Sequence, residues 1–251
     1  MTQRIVTAIA LLLLVALIGW ADNLYLTWAF LGITFLIAFN EAMALFRLKS
    51  NSPYFFALLL WIGALFYRNP DDLIVVAALF FGALLAYHGK SSEKHGLYRR
   101  LFLPWLYPTA SFLFLFTLYR DYGMIALGWL LAVVALTDTF AFVVGKLIGR
   151  TPFSPSSPNK SLEGVIGGIL VGTAGGALVG MEILPLSLAL IISFMTAIAS
   201  VFGDLFESYL KRDAGVKDSG KILPGHGGVL DRVDGYLFAA PILAILLRGI
   251  V

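Results

Sequence analysis

The chain has 251 residues, 59% of them hydrophobic and 13% charged, with a formal net charge of +3. A soluble domain averages about 25% charged residues, and one of this size could not hide so much apolar surface; intrinsic disorder fails for the same reason. The absence of cysteine removes disulfides, thiolate metal sites and cysteine nucleophiles, and the modest charge excludes a polycationic nucleic-acid binder.

What remains is an all-α polytopic membrane protein. A hydrocarbon core of ~30 Å needs about 20 apolar residues of helix. In chain order the apolar runs are Ile5–Ala21, Leu24–Phe46, Tyr54–Tyr67, Leu73–His88, Leu101–Tyr119, Gly123–Ile148, Leu162–Met181, Leu184–Leu210 and Gly235–Ile250. They predict nine spans, of which the third and fourth are short enough to be tilted, re-entrant or one hairpin. Period-two alternation is missing, which argues against a transmembrane barrel. The first run follows Arg4 and is long for a signal-peptide core, and Trp20-Ala21-Asp22 is a poor cleavage site, so it is expected to stay as an anchor.

Charge sets the expected orientation. With the N-terminus in the cytoplasm and nine alternating spans, 15 of the 18 lysines and arginines fall inside. Only Arg68, Arg120 and Arg248 fall outside. The positive-inside rule therefore predicts a cytoplasmic N-terminus and an outside C-terminus. No linker or second domain interrupts the chain. It is expected to form one integral membrane domain, with residues 1–120 as an N-terminal scaffold and 121–251 carrying the chemistry.

Within span seven, Gly164, Gly168, Gly172, Gly176 and Gly180 recur every fourth residue. That is one smooth helical face for close packing, or for approach of a lipid. Carboxylates inside apolar runs are costly and therefore informative. They are Glu41 in span two, Asp138 in span six, and Asp204 and Glu207 near the end of span eight. Glu41 is open to two readings, an interfacial cap or a functional group. Asp138 and Lys146 fall on one helical face. Asp204, Ser208 and Lys211 share a face, and Glu207 can pair with Lys211 at i, i+4.

The longest polar stretches are Gly149–Ser161 and Lys211–Asp234. The second packs Lys211, Arg212, Lys217, Asp218, Lys221, His226, Gly227, Gly228, Asp231, Arg232 and Asp234 into one short segment. Glycines let backbone N–H groups approach phosphate oxygens, and lysine and arginine neutralise polyphosphate charge. Hard carboxylate oxygens bind Mg²⁺, which commonly bridges to substrate phosphates. Asp231 and Asp234, three apart on a first helical turn, could share such an ion. In the shorter stretch, Ser161 is placed to N-cap span seven with Glu163 in its first turn, and Lys160 precedes that helix start as an anion contact. These are the ingredients of nucleotide or pyrophosphate chemistry at a membrane surface.

The run Ser208-x-Leu210-Lys211-Arg212-x4-Lys217-Asp218-x-Gly220-x2-Leu223-Pro224-x-His226-Gly227-Gly228-Val229-x-Asp231-Arg232-Val233-Asp234 resembles the signature of the phosphatidate cytidylyltransferases. Upstream, Asp138-x3-Phe142-x2-Gly145-Lys146 and Ser157-Pro158-x-Lys160-Ser161-x-Glu163-Gly164 resemble the same family, with Phe142 where tyrosine is common and Ser161 where threonine is common. The resemblance is sharp over residues 138–234. It implies transfer of CMP from CTP to phosphatidic acid at the cytoplasmic face of a bacterial inner membrane, with Mg²⁺, a second cation of the K⁺ type and a homodimer. It also implies metal binding by Asp204 and Asp231 with Asp234 alongside, and phosphate contacts from Lys160, Ser208, Lys211 and Arg212. Lys217, Asp218, Gly227, Gly228, Arg232, Asp138 and Lys146 complete the expected substrate site; Lys211 and His226 join the aspartates as expected catalytic residues, with His226 open to three readings: assisting the transfer, binding phosphate or serving as a turn residue. The nearest alternative is a CTP-dependent enzyme acting on another lipid or polyprenyl phosphate. A transporter built on Glu41 and Asp138 would need inverted repeats, which are not found.

Overall fold

In the computed structural model, residues 2–49, 51–88 and 104–250 are described. The chain is nearly all helical. The helices are α1 (Thr2–Ala21), α2 (Leu24–Leu45), α3 (Ser52–Phe66), α4 (Leu73–His88), α5 (Ser111–Ile148), α6 (Leu162–Gly180), α7 (Leu186–Ala214) and α8 (Leu230–Arg248). A 3-10 turn (Pro70–Asp72) precedes α4, and a π-helical turn (Trp105–Ala110) leads into α5. Strands β1 (Pro152–Ser154) and β2 (Ser157–Ser161) form an antiparallel hairpin within the stretch expected to be a plain polar loop.

Among the described residues, four helical runs are long and apolar enough to cross a membrane: Leu24–Leu45, Leu106–Ile148, Leu162–Gly180 and Leu186–Ala214. Val6–Ala21 and Pro53–Phe66 are shorter apolar helices. The third run covers both the fifth and the sixth expected spans. It is broken at Gly123, whose φ of 72° and ψ of −169° lie outside helical space. Only glycine enters that region cheaply, so the break falls where the sequence leaves a gap between the two runs. Lys90, Lys94, Arg99 and Arg100, counted above in an inside loop, lie outside the described residues, as do the first residues of the fifth span.

Two compact units make up the chain, and each has its own core. The first comprises residues 1–117 and 216–231. Its centre is aromatic: Phe35 lies 5.5 Å from both Trp61 and Phe112, and Trp61 lies 5.7 Å from Phe116. Trp28 stacks on Trp61 at 6.4 Å and donates its indole N–H to the Trp61 carbonyl. A side chain at Gly32 would run into the Trp61 indole, so glycine is what lets α2 and α3 close. Asn23 caps α2 by accepting from the Tyr25 and Leu26 amides, and buried Asp71 accepts from the Thr117 hydroxyl at 3.0 Å.

Residues 118–215 and 232–251 make up the second unit. Here the glycine stripe of α6 meets a matching every-fourth-residue row on α5. Gly164 and Gly168 face Ala141, Gly172 faces Thr137 and Val133, Gly176 faces Val133, and Gly180 faces Trp129. All five glycines are buried, and the stripe is spent on helix packing. Lipid tails are as apolar as leucine, so such helices gain little from burial itself and depend on close backbone approach. Trp129 donates to the Ser193 hydroxyl at 2.8 Å, which ties α5 to α7. Helix α7 ends on Gly215 in the left-handed conformation, with its N–H returned to the Arg212 carbonyl.

This packing separates two glycines of the same unit. A Cβ at Gly172 would lie 2.9 Å from the Val133 carbonyl oxygen, whereas one at Gly128 would meet nothing within 4 Å. Gly172→Ala is expected to destabilise the folded protein by about 1–3 kcal/mol, and Gly128→Ala to be neutral or slightly stabilising. Thermal denaturation of both variants in detergent measures the difference.

Candidate active site

The expected site residues divide between the two units, and each group has its own architecture.

In the first unit the glycine-rich segment folds around two carboxylates. Glu41, near the end of α2, is only 3% exposed. Its oxygens accept from the Ser219 hydroxyl at 3.2 Å, the Val229 amide at 3.1 Å and the Leu230 amide at 2.7 Å. Asp231 Oδ2 accepts from the Ser219 amide at 2.9 Å and the Gly228 amide at 2.7 Å. Ser219 thus donates its backbone to one carboxylate and its side chain to the other. The glycines fit this closeness. A Cβ at Gly220 or Gly228 would strike the Glu41 carboxylate, and Gly227 adopts φ +82° beside Asp231. Between these anchors Pro224, Gly225 and His226 make a tight turn, closed by Leu223 N–H to Gly227 O and His226 N–H to Leu223 O. His226 is half-buried in that turn, while Lys217, Asp218 and Lys221 are exposed.

The second unit carries the remaining groups. Lys160, on β2, pairs with Asp204 of α7, and the Ser208 hydroxyl donates to the other Asp204 oxygen at 3.4 Å. One turn on, Lys211 pairs with Glu207, whose side chain is fully buried. The shared face of Asp204 and Ser208 is realised, while Lys211 is engaged by Glu207. Asp138 has Lys160, Asp204 and Arg232 as charged neighbours, and Asp234 has Asp204 and Asp138. Lys146 is elsewhere on α5, with its ammonium 6.0 Å from the Phe142 ring centroid. Arg212 and Arg232 are exposed. A Cβ at Gly203 would meet the Asp234 carbonyl, so this glycine lets α7 and α8 approach where Asp204 and Asp234 are carried.

Positioning of Lys160 comes from the hairpin. Ser161 accepts from the Gly164 amide as the N-cap of α6. Glu163, in the first turn, accepts from the Arg150 and Thr151 amides and the Thr151 hydroxyl. A carboxylate at a helix start holds the entry of the hairpin, so Lys160 emerges from a braced strand.

Among the described residues, no group of three or more His, Asp or Glu side chains is gathered closely enough to hold a metal ion alone. Mg²⁺ does not require one, since it is usually held by one or two carboxylates with substrate phosphates and water completing the shell. Asp204 and Asp234 are hard oxygen donors of that kind in the second unit, and Asp231 is one in the first.

Sequence reasoning did not place Glu41, Ser219 or Glu207 in the site. For Glu41 the signal was available: a carboxylate four residues before the end of an apolar helix. Its partners lie more than 170 positions away, and no local pattern discloses them.

Comparison with known proteins identifies the family. The sequence pattern described as the cytidylyltransferase family matches residues 2–250. A phosphatidate cytidylyltransferase of Helicobacter pylori is 45% identical over 98% of this chain and 91% of its own length. One from Thermotoga maritima is 35% identical over 86% of each chain, and one from Staphylococcus haemolyticus is 33% identical over 98% of this chain and 99% of its own. With its family pattern matched over residues 2–250 and close relatives covered almost end to end, the chain belongs to the cytidylyltransferase family and is an enzyme of that type.

Proposed function

We propose that the enzyme transfers CMP from CTP to phosphatidic acid, giving CDP-diacylglycerol and pyrophosphate. The observation that carries this reading is the 45% identity over 98% of the chain, and 35% over 86% of it, to proteins named phosphatidate cytidylyltransferase. The chemistry of the residues supports it. A phosphate oxygen of phosphatidate attacks the α-phosphorus of CTP, and the bond from that phosphorus to the pyrophosphate oxygen breaks. Both reactants are anions, so the first task is to suppress their repulsion. Lys160, Lys211, Arg212, Lys217 and Arg232 supply the positive charge, with Ser208 and the Gly227 backbone as neutral phosphate contacts, while the Gly228 amide is engaged by Asp231. Catalysis of such a transfer is mostly positioning and electrostatic stabilisation, and ionised phosphatidate needs no base to become nucleophilic.

Asp204 and Asp231, with Asp234 alongside, are the proposed holders of Mg²⁺, which would neutralise developing charge on the transferring phosphate. A second, K⁺-type cation and a homodimer belong to the same proposal. So do the nine spans, the cytoplasmic N-terminus, the outside C-terminus and a site at the cytoplasmic face of a bacterial inner membrane. Polar loops with clustered lysine and arginine support that sidedness.

Purified enzyme in detergent, given CTP and phosphatidate, is expected to release pyrophosphate, to stop when Mg²⁺ is chelated and to resume when it is restored. Asp204→Asn and Asp231→Asn are each expected to lower kcat by about a hundredfold or more, on the order of 2.7 kcal/mol of transition-state stabilisation, with the protein still folded. Wild-type turnover in either variant contradicts the assigned roles.

Sidedness has its own test. The chain contains no cysteine, so a single introduced thiol can be labelled without background. With a membrane-impermeant maleimide on intact cells, Arg68→Cys and Arg248→Cys are expected to react, and Lys217→Cys and Arg150→Cys only after lysis. The reverse pattern overturns the orientation.

A further inference from the structure

We infer that Glu41 is a positioning residue of the transferase site, fixing the 216–231 segment and through it the aim of Asp231. The inference rests on the proposed reaction and deepens it, since it names a residue outside the family signature on which the signature depends.

Three observations converge on this. Glu41 is a carboxylate on an apolar helix, buried to 3% exposure, and it accepts three hydrogen bonds from residues at least 178 positions away in sequence. Two of its donors, the Val229 and Leu230 amides, belong to the start of α8, where N–H groups have no partner inside the helix. A carboxylate there is stabilising and defines the residue at which the helix begins. Asp231 is the next residue along.

Second, the two ends of the segment are held by the same pair of carboxylates. Ser219 gives its hydroxyl to Glu41 and its amide to Asp231, and Gly228 gives its amide to Asp231. Loss of Glu41 would leave Asp231 holding both ends without support from α2. Third, the glycines preserve this contact. Gly220 and Gly228 both sit where any side chain would strike the Glu41 carboxylate, so a Cβ at either position would push that carboxylate out of its present place. Plain helix packing would need none of this, because an apolar residue at position 41 would match the rest of α2.

Glu41→Gln keeps the size and one acceptor but turns an NH₂ group toward backbone donors. It is expected to lower kcat at least tenfold, with KM for phosphatidate within twofold of wild type and a melting temperature lowered by several degrees without loss of the fold. Hydrogen–deuterium exchange of the 216–231 segment should rise at least tenfold while that of α6 and α7 stays constant. Gly228→Ala attacks the same contact from the other side and should reproduce both effects; the double variant should be no worse than the more impaired single one. Should Glu41→Gln fail to accumulate, Gly220→Ala supplies the same test. Unchanged exchange in the segment, or turnover within twofold of wild type, overturns the inference. Failure of the wild-type enzyme to form CDP-diacylglycerol would instead overturn the proposed reaction, and the exchange measurement would still decide the Glu41 contact.

Discussion

Backbone N–H groups held away from water must find acceptors, and at the glycine-rich segment most of the named acceptors come from two carboxylates. Glu41 and Asp231 together take five hydrogen bonds from Ser219, Gly228, Val229 and Leu230. An unmet donor in such surroundings costs about 1–3 kcal/mol, so this pair decides whether the segment has one conformation or many. The exposed Lys217, Asp218 and Lys221 project from a frame these bonds set. In the proposed reaction, a segment preorganised in this way would take less binding energy to order around a polyphosphate.

The same economy governs the second unit. Helices α5 and α6 touch along interlocking rows of Trp129, Val133, Thr137 and Ala141 against five glycines. Gly203 performs the corresponding task between α7 and α8, directly beside Asp204. Small residues bring backbones together, and the charged groups those backbones carry come with them. Lys160 reaches Asp204 from a hairpin braced by Ser161 and Glu163, so the ion pair is positioned by local capping as well as by attraction. In such surroundings a paired lysine and aspartate keep a defined geometry that a solvated pair would lose.

Much of this was legible in the sequence, because hydropathy and spacing are local signals. Helical runs, the break before Gly123, the capping role of Ser161 and the packing face of Gly164–Gly180 follow from residue types a few positions apart. The i, i+4 relation of Glu207 and Lys211 likewise follows from helix geometry. The hairpin over Pro152–Ser161 was hidden, since its prolines and serines suit a loop as well as a short two-stranded turn. Glu41 was legible only as a question. Its answer depends on donors far along the chain, which no periodicity can reveal. Helix α7 continues through Arg212 to Ala214 beyond its apolar run, because its basic last turn suits the negative end of the helix dipole.

The identity of the lipid acceptor is the most exposed part of this account. Purified enzyme should be given CTP labelled at the α-phosphorus together with equimolar phosphatidate, polyprenyl phosphate and another lipid phosphate in one mixed micelle. The account predicts that the label appears in CDP-diacylglycerol, with phosphatidate consumed ahead of both competitors. Label accumulating chiefly on either competitor would contradict it.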